Sequence, residues 1–187
     1  MRFFITLLTL LLSSCSALSQ RDIPTSLPHK PIPVLKEAPL FTLKDLRGVE
    51  VSLKELKGRI VILHFWALWC GQCVQELPAF EALYEDFMNQ GVTFLAISED
   101  TEEEKLLNFF RKHNYMFRVL QDSQGSVRQL YGVSTLPSTV VIDSQGMLRA
   151  VVDSQSGEFV EVATGPKAWN SKLLREYFDR LVAERES

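Results

Sequence analysis

Ile60-Val61-Ile62-Leu63-His64-Phe65-Trp66-Ala67-Leu68-Trp69-Cys70-Gly71-Gln72-Cys73 is an almost unbroken apolar run that ends in two thiols three positions apart. Its first seven residues are rich in β-branched and aromatic side chains, which predicts a strand buried on both faces of a sheet. After Cys73 the period changes, because Val74, Leu77, Phe80, Leu83, Tyr84, Phe87 and Met88 recur at helical intervals. The thiol pair therefore sits at a strand-to-helix junction. A helix start carries unpaired N–H groups and a partial positive charge, so it stabilises a thiolate relative to its thiol. Such a site lowers a cysteine pKa from about 8.5 into the range of roughly 3.5–7.5. Cys70 is the expected nucleophile. Cys73, one turn further in, is placed to attack a mixed disulfide at Cys70 and expel the other partner.

Working outward, Phe41-Thr42-Leu43 and Val49 to Leu53 read as a short hairpin before the central strand. On the other side, Gly91 stops the first helix and Val92 to Ser98 predicts a second buried strand, giving a βαβ unit with a parallel pair. Thr101 and Glu104 have the spacing of a capping box for a helix to about His113, whose apolar side (Leu106, Leu107, Phe109, Phe110) is expected to fill a second layer. A short strand at Arg118 to Leu120 and a short helix from Ser126 to Tyr131, ended by Gly132, follow. Ser138 to Ile142 and Met147 to Val152, joined by Asp143-Ser144-Gln145-Gly146, predict an antiparallel hairpin. The last helix shows Leu173, Leu174, Tyr177, Phe178, Leu181 and Val182 on one face, with Asn170 or Ser171 as its cap. This order predicts an α/β domain of three layers, α/β/α, around a mixed sheet with an added N-terminal β-hairpin.

The composition fits one domain: 187 residues, 46% hydrophobic and 23% charged. A formal net charge of −3, with no Lys/Arg cluster interleaved with aromatics, argues against a nucleic-acid partner. The N-terminus differs in kind: Arg2 precedes the apolar run Phe3 to Leu12, which is too short to span a bilayer and reads as an export signal. Leu12-Ser13-Ser14-Cys15 resembles the bacterial lipobox, whose cysteine is lipidated and becomes the first mature residue. Residues 1–14 are then a lipoprotein signal peptide, and 15–37, with Pro24, Pro28, Pro31 and Pro33, a stiff extracytoplasmic linker. The domain is expected over 38–187. Assigning Cys15 to a lipid leaves Cys70 and Cys73 as an isolated pair. Zinc needs more ligands than these two, and His29, His64 and His113 lack paired spacing. Covalent haem attachment needs His where Val74 stands. A redox dithiol is what remains.

The motifs together carry a specific resemblance. Phe65-Trp66-Ala67 leading into Trp69-Cys70-Gly71-Gln72-Cys73, then Glu76-Leu77-Pro78, Gly132-Val133 with Leu136-Pro137, and Val141-Ile142-Asp143 with Gly146 are similar to the extracytoplasmic thioredoxin-like proteins. Within them the chain resembles the TlpA and ResA group of thiol-disulfide oxidoreductases, a branch of the AhpC/TSA-Redoxin-like superfamily, from about Ala38 to Val182. That resemblance implies a thioredoxin fold, no cofactor, and a cis Pro137 against the dithiol. Trp69, Thr135, Leu136 and Pro137 would contact substrate, Leu136 through its backbone. It also implies that Glu76, one turn beyond Cys73, lies near the dithiol and affects cysteine ionisation; a partly buried carboxylate there is suited to proton transfer. His64 stands where thioredoxins carry a buried aspartate and this group commonly asparagine, which makes it a proton-relay candidate with an unperturbed pKa near 6.5. Gln72 replaces the usual proline between the cysteines and Leu68 a small or polar residue before Trp69. The pair Gly71-Gln72 is therefore expected to tune the redox potential.

The expected function is that of a membrane-tethered thiol-disulfide oxidoreductase on the periplasmic side, reducing disulfide-containing protein substrates. As the resemblance implies, an integral-membrane thiol carrier of the DsbD or CcdA kind would recharge it, and apocytochrome c is the substrate the group points to. Ser16 after Cys15, in place of a retaining aspartate, leans toward the outer membrane. Two alternatives stand beside this. A peroxiredoxin-like thiol peroxidase would carry a Pro-x-x-x-Thr-x-x-Cys loop, which Leu63 to Cys70 does not offer. A redox-inert or copper-delivering lipoprotein would prefer Cys-x-x-x-Cys with a partnering His.

Overall fold

The computed structural model describes residues 26–27, 30–153 and 156–186, so the leader 1–14 and Cys15 lie outside the described residues. In chain order the elements are β1 (Val34–Glu37), β2 (Thr42–Asp45), β3 (Glu50–Ser52), a 3-10 turn (Leu53–Leu56), β4 (Ile60–Trp66), α1 (Gly71–Phe87), β5 (Val92–Ser98) and α2 (Glu103–His113). They continue with β6 (Arg118–Gln121), α3 (Ser126–Leu130), β7 (Ser138–Ile142), β8 (Met147–Arg149), β9 (Val151–Val152), β10 (Phe159–Val160), β11 (Ala163–Thr164) and α4 (Lys172–Glu186).

The main sheet runs β1-β8-β7-β4-β5-β6-β2-β3, and β11 also pairs with β7. β4 is central, parallel to β5 and antiparallel to β7, and all seven of its residues are buried. Successive side chains of a strand point to opposite faces. Ile60, Ile62 and Trp66 accordingly pack with Leu77, Phe80 and Phe87 of α1 and with Tyr177 and Phe178 of α4. Val61, Leu63 and Phe65 face Phe41, Leu53, Val127 and Tyr131 on the other side. Each large side chain sealed this way contributes about 1.5–3 kcal/mol.

The sheet is mixed and lies between two helical layers, as expected, but the layers are unequal. β4, β5 and β6 advance in one direction through right-handed crossovers, which puts α1 and α2 on the same face. Trp66 meets Phe109 and Phe110 of α2 there, at ring-centroid distances of 6.1 and 5.8 Å. The second layer is made instead by the 3-10 turn and the five-residue α3.

Two local expectations change, and a third, left between two residues, is decided. The Thr101/Glu104 capping box does not form: Glu102 occupies the N-cap of α2 and makes no side-chain cap bond. At α4 the cap is Ser171, whose hydroxyl accepts from Leu174 N at 3.3 Å. The strand expected over 147–152 is broken at Ala150, whose N–H turns to the Pro33 carbonyl, and β9 pairs with β10.

The largest correction concerns the linker. Val34–Glu37, expected within it, forms the edge strand β1 on β8, and Leu27 and Ile32 are buried in the apolar cluster that also holds the inner faces of α1 and α4. Pro31 and Pro33 do not oppose this, because an edge strand tolerates residues without an N–H. Polar ties hold the segment down. Leu27 N donates to Glu176 at 3.1 Å, and the buried Arg149 guanidinium donates both to the Ile32 carbonyl at 2.8 Å and to Glu184 at 2.6 Å.

Candidate active site

β4 delivers the chain to Ala67, and a tight turn, with Cys70 N donating to the Ala67 carbonyl at 3.1 Å, brings Cys70 to the start of α1. The turn is held from the side: Leu68 N donates to Asp100 Oδ2 at 2.8 Å, and Ser98, at the end of the adjacent strand β5, donates its hydroxyl to the same oxygen at 2.8 Å. Cys70 is the N-cap of α1, and its Sγ accepts from Cys73 N at 3.3 Å. No acidic residue occupies the first turn, so the positive end of the helix is left to the sulfur.

Cys70 and Cys73 form a disulfide. Its two halves see different surroundings. Cys73 is fully buried in the apolar cluster, whereas Cys70 is half-buried, Gly71 and Gln72 are exposed, and Trp69 stands 68% exposed beside them. A groove of about 380 Å³, lined by Leu68, Trp69, Glu99, Asp100, Thr101, Glu102 and Lys105, opens next to Trp69.

The Leu136–Pro137 peptide bond is cis. Pro137 is buried, Thr135 is exposed, and Leu136 packs into the same apolar cluster as the two cysteines. The loop is fixed on both sides. Ser138 donates its hydroxyl to the Thr135 carbonyl at 2.7 Å, and Gly165 N donates to the Pro137 carbonyl at 2.9 Å.

Beneath the disulfide lies a buried polar group. Glu76 is only 6% exposed; one carboxylate oxygen accepts from Lys167 N, and the other lies 3.3 Å from His64 Nε2 without hydrogen-bonding geometry. His64 is completely enclosed, with Nδ1 3.3 Å from the Thr139 hydroxyl and its ring against Phe80 and Trp169. Burial raises the Glu76 pKa to about 7, against the opposing pull of the Lys167 N–H and ammonium. Burial, assisted by the Lys167 charge, pushes His64 down to about 3. Enclosure removes the water that would solvate the imidazolium, so His64 is held neutral, its pKa far below the unperturbed value near 6.5. Glu76 is the member of this pair that titrates near neutrality.

The structure thus gathers Trp69, Cys70, Gly71, Gln72, Cys73, Glu76 and His64 around one helix start. The loop Thr135 to Pro137 shares its apolar cluster through Leu136. Cys15 lies outside the described residues. Two contributors are not visible in the sequence pattern. Asp100 follows a strand of ordinary appearance, and its only signal is its position at the C-terminal end of the strand parallel to β4. Lys167 lies in a Gly- and Pro-containing stretch without periodicity, where a lysine reads as solvated, yet it is 5% exposed.

Comparison with known proteins agrees with this geometry. The model of the AhpC/TSA family matches residues 34–151. Thiol-disulfide oxidoreductase ResA of Bacillus thuringiensis subsp. konkukian is 35% identical over 127 residues, covering 67% of this chain and 73% of that protein. ResA of Halalkalibacterium halodurans is 30% identical over 149 residues, covering 80% and 77%. Among solved structures, a thiol:disulfide interchange protein DsbE from Chlorobium tepidum superposes with a TM-score of 0.65 over 84% of this chain and all of that one; at 24% identity it bears on the fold, which is thioredoxin-like. The chain belongs to the AhpC/TSA family, as a thiol-disulfide oxidoreductase of the ResA type.

Proposed function

We propose that this protein is a lipid-anchored, extracytoplasmic reductase of protein disulfides in which Cys70 attacks and Cys73 resolves. The observation that carries the assignment is the asymmetry of the pair: Cys70 caps the helix and is reachable, whereas Cys73 is sealed. In the reduced protein the Cys70 thiolate attacks one sulfur of a substrate disulfide. A Cys70–substrate bond forms, the substrate S–S bond breaks, and the first substrate thiolate leaves and takes a proton from water. Cys73 then gives its proton to Glu76 and attacks Cys70 Sγ. The Cys70–Cys73 disulfide forms, the second substrate thiolate departs and recovers that proton from Glu76, and two electrons have passed to the substrate. A carboxyl with a pKa near 7 suits both transfers. Leu136, ahead of the cis proline, presents its backbone to the substrate chain, with Trp69 and Thr135 beside it.

Recharging needs a dithiol donor, and an integral-membrane carrier of the DsbD or CcdA kind fits an anchor on Cys15; apocytochrome c is the proposed substrate class. Among the described residues no helix is long and apolar enough to cross a membrane; the proposed tether is a lipid on Cys15, which rests on the lipobox-like Leu12 to Cys15. The test is trapping in intact cells. Cys73→Ser is expected to accumulate mixed disulfides with partner proteins and Cys70→Ser to accumulate none; equal trapping by both overturns the assignment.

A further inference from the structure

One turn of chain ties the substrate loop to the buried carboxyl. β11 pairs Ala163 and Thr164 with Thr139 and Ser138 of β7, directly after the cis proline. Gly165 N then donates to the Pro137 carbonyl, and two residues later Lys167 N donates to Glu76. The Lys167 side chain folds back into this turn, donating to the carbonyls of Thr164 at 2.7 Å and Gly165 at 2.6 Å. Lys167 as a residue is only 5% exposed, and drawing its ammonium out of bulk water is costly, whereas surface lysines close turns without that cost. Its placement therefore calls for a reason beyond closing the turn.

We infer that Lys167 is a positioning residue for thiol–disulfide exchange: its ammonium closes the turn that braces the Pro137 carbonyl and keeps Glu76 available as the proton acceptor for Cys73. The inference rests on the role given to Glu76 above. The charged and titratable groups that act on Glu76 are His64 from β4 and Lys167 from the turn after β11, with Asp153 acting on Lys167 from beyond; Cys73 lies three residues before it on the same helix, one turn away. His64 is neutral, so Lys167 supplies the positive charge that favours the Glu76 carboxylate. Without that charge the carboxyl holds its proton to higher pH and cannot accept one from Cys73 near neutrality. No electron passes through Lys167; it acts only on where the Cys73 proton can go.

The experiment is a pH profile of single-turnover reduction of a disulfide peptide. It compares unmodified protein with Lys167→Gln, which keeps an amide donor for the two carbonyls but loses the charge, and with Lys167→Arg, which restores it. Glu76→Gln is run alongside. The step near pH 7 is expected to move up by about one unit in Lys167→Gln, to return in Lys167→Arg and to vanish in Glu76→Gln. If Glu76→Gln removes the step while Lys167→Gln leaves it in place, the inference falls and the role of Glu76 stands. If Glu76→Gln retains the step, both fall. A measurement on unmodified protein covers a variant that does not fold: the Lys167 Nζ resonance should shift through the same pH midpoint as the Glu76 carboxyl carbon, and a flat Nζ trace overturns the inference.

Discussion

The two sulfurs of one disulfide occupy opposite physical worlds. Around Cys70 there is partial access to solvent, a helix start without a neutralising carboxylate, and an exposed indole beside an open groove. Around Cys73 there is no such access: the sulfur is enclosed, and the nearby polar groups, Glu76, His64 and Lys167, are themselves buried. On the proposed roles of the two cysteines, the difference teaches that the two steps of exchange depend on different physics. Attack depends on a dipole and on access, which solvent can reach and salt can screen. Resolution depends on moving a proton inside a low-dielectric pocket, where small changes in charge have large effects.

Removing each side of this contrast in turn gives effects of decreasing size. Cys70→Ser should lower disulfide-peptide reduction by more than about 10³-fold, because no other thiol among the described residues has both exposure and a helix start. Glu76→Gln should slow the resolving step about 10- to 100-fold near neutral pH, read as prolonged mixed disulfide in rapid-quench experiments.

The same pair predicts the pH dependence of stability. Glu76 has a folded pKa near 7, above its ordinary value of 4.5, so it adds stability below pH 4.5 that is lost as the pH rises to about 7, about 3 kcal/mol in all. His64 has a folded pKa near 3, below 6.5, and contributes the opposite slope: stability present above pH 6.5 is lost as the pH falls toward 3. From these two groups the contributions oppose one another between about pH 4.5 and 6.5. Urea denaturation of Glu76→Gln should therefore show stability falling on acidification through that window, more steeply than in the unmodified protein. Equal slopes would contradict the assignment of these proton affinities.

Smaller effects belong to the exposed side. Asp100→Ala frees the Leu68 N–H and should cost about 1–2 kcal/mol of stability, with a several-fold lower rate, measured by denaturation and peptide reduction. Trp69→Ala should leave stability within about 0.5 kcal/mol, since the indole is 68% exposed, and weaken substrate binding as a raised KM with little change in kcat.

The same contrast separates what could be read in the sequence from what could not. β4, α1, β5 and α4 are long enough for their periods to show, and the thiol pair, Glu76 and the Leu136-Pro137 loop follow from spacing and resemblance. β10 and β11 are two residues each and carry no period, so the turn that brings Lys167 beneath Glu76 has no local signature. Leu27 and Ile32 are isolated apolar residues among prolines, and only their burial in the shared tertiary cluster reveals that the domain begins before the expected linker ends. The pKa of His64 is likewise a property of enclosure by Phe80, Trp169 and β7, elements distant in sequence.

The central claim is that Cys70 is the reachable, acidic thiol and Cys73 the shielded one. It is tested most directly by alkylating the fully reduced protein with iodoacetamide across pH and locating the label by mass spectrometry. Cys70 should be modified with a midpoint below about pH 7.5, and Cys73 should stay unmodified until the protein is unfolded. Modification of both cysteines at equal rates, or of Cys73 first, would contradict it.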